Sequence, residues 1–224
     1  MSRIVMTGDR ADPLRLAMLA SAIVAVAGAA YIVSLLLNIP AGFPMPPAAA
    51  TRMLASLSVL ASAPALALFA YSLKRARPSR ATDIAFAISM LFAALAVANR
   101  LAQLVALVLW PGLGPQLDLY VTHSFAQAAE MLAWGWLFGA VTVQLAAPVR
   151  ITAGAWPARL LGASGLMSLA AGLVYLVALV VTLPDWVGGI AVAVGGLAWG
   201  IAWPLSAALS VSGLMARRQG ALAL

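Results

Sequence analysis

Six stretches of the chain are apolar almost without interruption, and each is long enough to leave the water-soluble world. At 1.5 Å per residue a helix needs about 20 residues to cross roughly 30 Å of hydrocarbon. Leu14–Leu37, Thr51–Ser72, Thr82–Leu109, Val121–Leu145, Ala158–Thr182 and Val187–Met215 all meet that requirement. The polar positions fall between them: a Pro-rich connection from Asn38 to Pro47, a basic turn Lys74–Arg80, a Pro/Gly loop Trp110–Gln116, the segment Ala147–Pro157 and the short Leu183–Trp186. None of these connections could fold as a separate domain. The pattern predicts an all-α, polytopic transmembrane bundle of six spans forming one membrane unit over residues 1–224.

Most acidic residues sit where a helix begins. Asp12 precedes Pro13, Asp83 follows Thr82, and Asp118 and Asp185 precede the fourth and sixth spans; each can cap or complement a helix N-terminus. Trp110, Tyr120, Trp156 and Trp186 lie near span ends, the depth that amphipathic rings favour. Pro64 and Pro204 fall inside the second and sixth spans and should kink them. Gly189, Ala193, Gly196 and Gly200 form a small-residue stripe on the sixth, suited to close helix packing within the bundle.

Composition agrees with the pattern. The chain is 64% hydrophobic and 8% charged, with a mean hydropathy of +1.03, which excludes a soluble globular domain. It has no cysteine and one histidine, so disulfides, Fe–S clusters, thiolate nucleophiles and zinc ribbons are ruled out, and neither metal nor cofactor is expected. A net charge of +7 would suggest nucleic acid in a soluble chain, but here the basic residues cluster between apolar runs and read as topology, with the lipid bilayer as partner. If the spans alternate, Arg3, Arg10, Arg15, Lys74, Arg75, Arg77, Arg80, Arg150, Arg159, Arg217 and Arg218 share one side, leaving Arg52 and Arg100 elsewhere. That asymmetry places both termini in the cytoplasm. The alanine and arginine bias fits a high-GC bacterial genome. Ala27-Gly28-Ala29 mimics a signal-peptide cleavage site, but the first run exceeds the usual 7–15 residues of a signal h-region and reads as a retained helix.

Two charges have no helix-end explanation. Arg100 lies ten residues before Trp110, and Glu130 ten after Tyr120 on the next, antiparallel helix. Both therefore lie about 15 Å below the same boundary, on helices expected to be neighbours. An isolated charge at that depth costs about 2.5–3.5 kcal/mol on the insertion scale, much of which pairing removes. Other polar groups share these faces: His123, Gln127, Glu130 and Trp134 recur at helical spacing, and Asn99 and Gln103 flank Arg100. Tyr31 and Tyr175 each lie nine residues before a proline, at about the same depth, and Arg52 stands near the outer mouth of the second helix. Arg100, Glu130, His123, Gln127, Gln103, Asn99, Tyr31, Tyr175 and Arg52 together could line an outward-opening polar pocket.

Gly162-Ala163-Ser164-Gly165 looks like the nucleophile motif of rhomboid proteases, but no histidine follows Ser164 and His123 falls about 20–27 Å away in depth. A small-residue packing face explains it better. Arg52 and Arg159 open loosely similar runs, as in an inverted repeat of three helices. The layout as a whole, with a basic N-terminus, Arg100-Leu101 and Gln103 in the third span, a polar start to the fourth, and Trp156-Pro157-Ala158-Arg159-Leu160-Leu161-Gly162 opening the fifth, resembles a bacterial six-helix integral membrane family known only as domain of unknown function 4386. The resemblance implies an inner-membrane protein and carries no functional residues with it.

Three functions are compatible with these residues. One is binding or passage of a small polar or amphipathic ligand, a small molecule or lipid, with Arg100 attracting an anionic group and Glu130 neutralising it or accepting a proton. Another is a structural or accessory protein whose charge pair fixes packing. An intramembrane enzyme acting on a lipid would need His123 or Glu130 as general base, and no second catalytic group stands at an assured distance.

Overall fold

The computed structural model describes residues 12–37, 49–108, 124–181 and 185–222. It contains six helices long and apolar enough to cross a membrane. We number them α1 (Pro13–Leu36), α2 (Ala49–Ala76), α3 (Arg80–Val108), α4 (Phe125–Thr152), α5 (Ala155–Val180) and α6 (residues 185–222). Each helix packs on its successor in the chain and α6 closes on α1, so the six form a ring in sequence order. The ring's ends are distinguishable. Asp12 and Arg218 pair at 2.9 Å, bringing the start of α1 and the end of α6 to one end of the bundle. Alternation places Lys74, Arg75, Arg77, Arg80, Arg150, Arg159 and Arg217 at that same basic end. The opposite end is called the far end below.

Local chemistry explains how the helices begin and stop there. Asp12 accepts the Leu14 N–H at 2.9 Å, as its place before Pro13 predicts. Ser79 and Thr82 exchange side-chain to backbone bonds, with Ser79 N–H to Thr82 Oγ1 at 3.0 Å and Thr82 N–H to Ser79 Oγ at 3.2 Å, a reciprocal cap for α3. Asp83 in that first turn pairs with Lys74 on α2 at 2.9 Å. Two connections expected from sequence are shorter than their polar residues suggest. The helix of α2 continues through Lys74 and Arg75 to Ala76. That of α4 continues through Pro148 and Arg150 to Thr152, so Ala147–Pro157 is mostly helical and the turn is only Ala153-Gly154. Gly154 adopts φ +113°, a conformation open to glycine. Trp156 and Pro157 occupy the first turn of α5, where a missing N–H costs nothing.

Two helices depart from α geometry. Met131–Phe138 in α4 and Ala198–Ala202 in α6 are π-helical. In α6 the wide turn ends directly before Pro204, whose ring cannot sit in an ordinary helix interior. The backbone N–H of Trp203 reaches the Ala198 carbonyl, which also accepts the Ser164 hydroxyl at 2.8 Å. Ser164 is thus a packing residue, as the sequence suggests.

The small-residue stripe of α6 packs differently from expectation. A Cβ on Gly196 would meet nothing within 4 Å, and one on Gly200 only Ile32 at 3.9 Å. One turn earlier, Val187, Ile190, Ala191 and Val194 of α6 border an apolar groove of about 220 Å³ with Ala170, Ala171 and Val174 of α5. Close approach occurs instead between α4 and α5, where glycines face each other: a Cβ on Gly135 would lie 2.8 Å from the Gly172 Cα, and one on Gly165 would lie 2.5 Å from Thr142 Oγ1. At the basic end Gly213 of α6 lies directly against the Ala153 carbonyl. Elsewhere, serines inside the bundle donate to carbonyls of their own helix, as Ser58 does to Leu54 and Ser72 to Leu68, which satisfies each hydroxyl without a partner helix.

Candidate functional site

The site begins with the charge pair. Arg100 on α3 and Glu130 on α4 are 3% and 4% exposed, and the Arg100 Nη2 donates to Glu130 Oε1. Neighbouring antiparallel helices bring them together, as equal depth predicts. Asn99 Nδ2 donates to Glu130 Oε2 at 2.8 Å and also to the Ala126 carbonyl at 3.1 Å, so both carboxylate oxygens are engaged. Arg100 Nη1 donates to Gln103 Oε1 at 3.1 Å. A buried charge pair holds only when its remaining donors and acceptors are met, and on the carboxylate side they are.

On the cation side they are not. Arg100 Nε, Gln103 Nε2 and the Trp134 indole Nε1 are buried with no hydrogen-bond partner among the described residues. Arg100 and Trp134 line one cavity, together with Glu130 from α4, Tyr31 from α1, and Ser58 and Ser62 from α2. Trp199 and Trp203 of α6 complete its wall. The cavity volume is about 20 Å³, enough for about one water molecule.

Aromatic rings enclose the cavity on the side away from the far end. Trp134 lies 5.0 Å from Phe92 edge-on, 5.3 Å from Phe138, and 5.7 Å from each of Trp199 and Trp203. Phe138 and Trp203 are 4.9 Å apart. Rings at these separations attract through offset and edge contacts. The Trp199 indole donates to Ser168 on α5 at 2.9 Å, which holds that ring by its polar edge.

The structure distributes the residues singled out from sequence. Arg100, Glu130, Asn99 and Gln103 form one hydrogen-bonded cluster, and Tyr31 lines the cavity beside it. Gln127 is half-buried one turn before Glu130, and its backbone N–H is capped by Ser124. It does not line the cavity, nor does Arg52, in the first turn of α2. Tyr175 on α5 is also outside the cavity wall, its hydroxyl buried and unpartnered among the described residues. His123 lies outside the described residues. Ser58, Ser62, Trp199 and Trp203 were missed, although Ser58/Ser62 and Trp199/Trp203 are each four apart within an apolar helix, the spacing that puts two side chains on one face.

The fold and site thus define a multi-pass membrane protein whose six-helix bundle contains a buried Arg–Glu pair. No protein-family model, curated protein or solved structure matches the chain, and the likeness to the six-helix family rests on layout.

Proposed function

We propose that the cavity beside Arg100 and Glu130 binds the anionic group of a small polar or amphipathic ligand. The observation that carries this reading is the pair of buried N–H donors, Arg100 Nε and Trp134 Nε1, on residues that line one cavity and find no acceptor among the described residues. A buried donor left unpaired costs about 1–3 kcal/mol, which an oxygen acceptor recovers. An anion satisfies both donors and is attracted by the guanidinium, whereas a cation is repelled by that guanidinium and meets a carboxylate whose two oxygens are already engaged. The same engagement argues against Glu130 as a general base. The cavity as it stands holds about one water, so a ligand group enters as the ring wall yields.

In this reading the chain lies in a bacterial inner membrane with its basic end in the cytoplasm, supported by the concentration of arginines there. Membership of the six-helix family named above belongs to the same proposal. A reporter fused after Arg217 should report the cytoplasm; an external signal would reverse the orientation.

The competing reading, a charge pair that only fixes packing, is favoured by the water-sized cavity. Thermal unfolding in detergent across formate, acetate, lactate, phosphate and anionic lipids separates the two. We expect at least one to raise the melting temperature, and Trp134→Phe, which keeps the ring and removes the N–H, to diminish that rise. No rise with any of them leaves the packing reading in place.

A further inference from the structure

We propose that the bundle encloses a gated passage for small polar solutes, with Trp203 as its gate. The inference extends the reading above, since it takes the binding cavity as the far chamber of the passage, but it rests on a second cavity.

That second cavity, of about 10 Å³, is bounded by Ser21 of α1, Leu66 and Phe69 of α2, and Ser206 and Ser210 of α6. It is displaced from the first along the bundle axis. On α1 the lining residues shift from 27–31 to 21–24, and on α2 from 58–62 to 66–69; at 1.5 Å per residue this is about 10 Å toward the basic end. Among the described residues, Trp203 is the one that borders both. It is 4% exposed and packed against both Phe138 and Trp134, and as the wall shared by the two chambers its indole stands where the route would be closed.

Both chambers carry hydroxyls. Ser58 and Ser62 line the far one, and Ser21, Ser206 and Ser210 the other. Ser206 donates to the Pro157 carbonyl at 2.7 Å and Ser210 to the Ser206 carbonyl at 2.8 Å, which leaves their oxygen lone pairs to accept from a solute. Hydroxyls above and below a ring of aromatic side chains are the arrangement of a polar route closed by an apolar constriction. Arg100 in the far chamber disfavours free cations, so the route suits water and small neutral or anionic solutes.

The gate also stands on a joint. Trp203 follows the π-helical turn Ala198–Ala202 and precedes Pro204, which has no N–H to donate. Pro204 rests against Gly28 of α1, where a Cβ would collide with its ring. The α6 ladder thus changes from π to α pitch at Trp203, whose own N–H still reaches the Ala198 carbonyl, and lacks one rung at Pro204, so a small rotation at this joint swings the indole out of the path.

Water itself is the probe. In proteoliposomes of the full chain, osmotic water permeability followed by stopped-flow light scattering should rise at least about fivefold in Trp203→Ala, while Trp203→Phe stays near the parent value, because an apolar constriction gates by dewetting. Unchanged permeability in a Trp203→Ala protein that reconstitutes normally overturns the passage. If that variant does not fold, the parent chain supplies the test, since it has no cysteine. Ser62→Cys should be reached by a small membrane-impermeant anionic thiol reagent, a sulfonated methanethiosulfonate, from the far face and Ser210→Cys from the basic face, each scored by protection from later alkylation. Both reacting from one face, or neither from either, refutes the gate. An anion-induced melting shift that persists while permeability stays flat would sink the passage and leave the binding reading intact; the reverse would do the opposite.

Discussion

The two halves of the bundle treat buried polar groups differently. Toward the basic end the buried hydroxyls of Ser206, Ser210 and Thr152 donate to the Pro157, Ser206 and Pro148 carbonyls, and at the more exposed rim Asp12 pairs with Arg218 and Arg217 with the Ile151 carbonyl at the end of α4. Toward the far end, Arg100 Nε, Gln103 Nε2, Trp134 Nε1 and the Tyr175 hydroxyl have none among the described residues. Unmet polar atoms are costly in a low-dielectric interior. Among the described residues, then, the basic half closes its polar groups within the bundle, whereas the far half leaves open the donors that the proposed anion would meet.

The contrast can be broken most forcefully at the charge pair. Arg100→Leu or Glu130→Leu alone should lower unfolding free energy in detergent by about 3–5 kcal/mol, because each leaves a buried charge without its partner. The double variant should recover most of that loss, as measured in a double-mutant cycle. Additive losses would show that the pair is not coupled, and a stable double variant that still gives the anion shift would return the pair to a purely structural role.

A substitution in the other half sharpens the comparison. Gly213→Val places a side chain into the Ala153 backbone, where no flexible group can give way. Overpacking of this kind costs about 1–3 kcal/mol, and the effect should appear as a lower melting temperature with the anion shift preserved. A simultaneous loss of ligand response would mean that the halves are coupled.

The smallest effect is electrostatic. Burial is the largest single influence on the Asp12 carboxyl and raises it, but the Leu14 and Arg15 N–H groups and Arg218 together outweigh it and hold its pKa below the ordinary value of 3.8. A carboxylate depressed in the folded state contributes stability above its unfolded pKa and loses it as pH falls through the folded value. The melting temperature should therefore drop as pH falls from 3.8 into that lower range, by less in Asp12→Asn. An identical pH profile for the two would remove Asp12 from the account.

Much of the fold was legible because length and apolarity alone decide whether a helix can span a bilayer, and all six spans appear. Their ends were less so. Pro148 and Arg150 look like loop residues, yet the α4 helix carries both, since a proline inside a helix forfeits one backbone bond without ending it and an arginine reaching the surface does not stop it. The π-helical turns were invisible, because an apolar stretch reads the same at either pitch. For the site, depth arithmetic found the Arg100–Glu130 contact, as two neighbouring helices leave little choice of partner. Depth says nothing about direction around the ring, however. Tyr31 and Tyr175 were assigned one level, but only Tyr31 faces the cavity. Cavity volume depends on how far each ring leans inward, and no sequence pattern encodes that.

The ring order has a consequence for synthesis. The neighbours of α1 are α2, made next, and α6, made last. The clasp between Asp12 and Arg218 spans 206 positions. While the ribosome is still producing α4 and α5, the flank of α1 that carries Gly28 has no protein to rest against, and lipid must cover it. The cavities bordered by both α1 and α6 come into being only when α6 enters beside α1, so until then the nascent bundle has no closed interior.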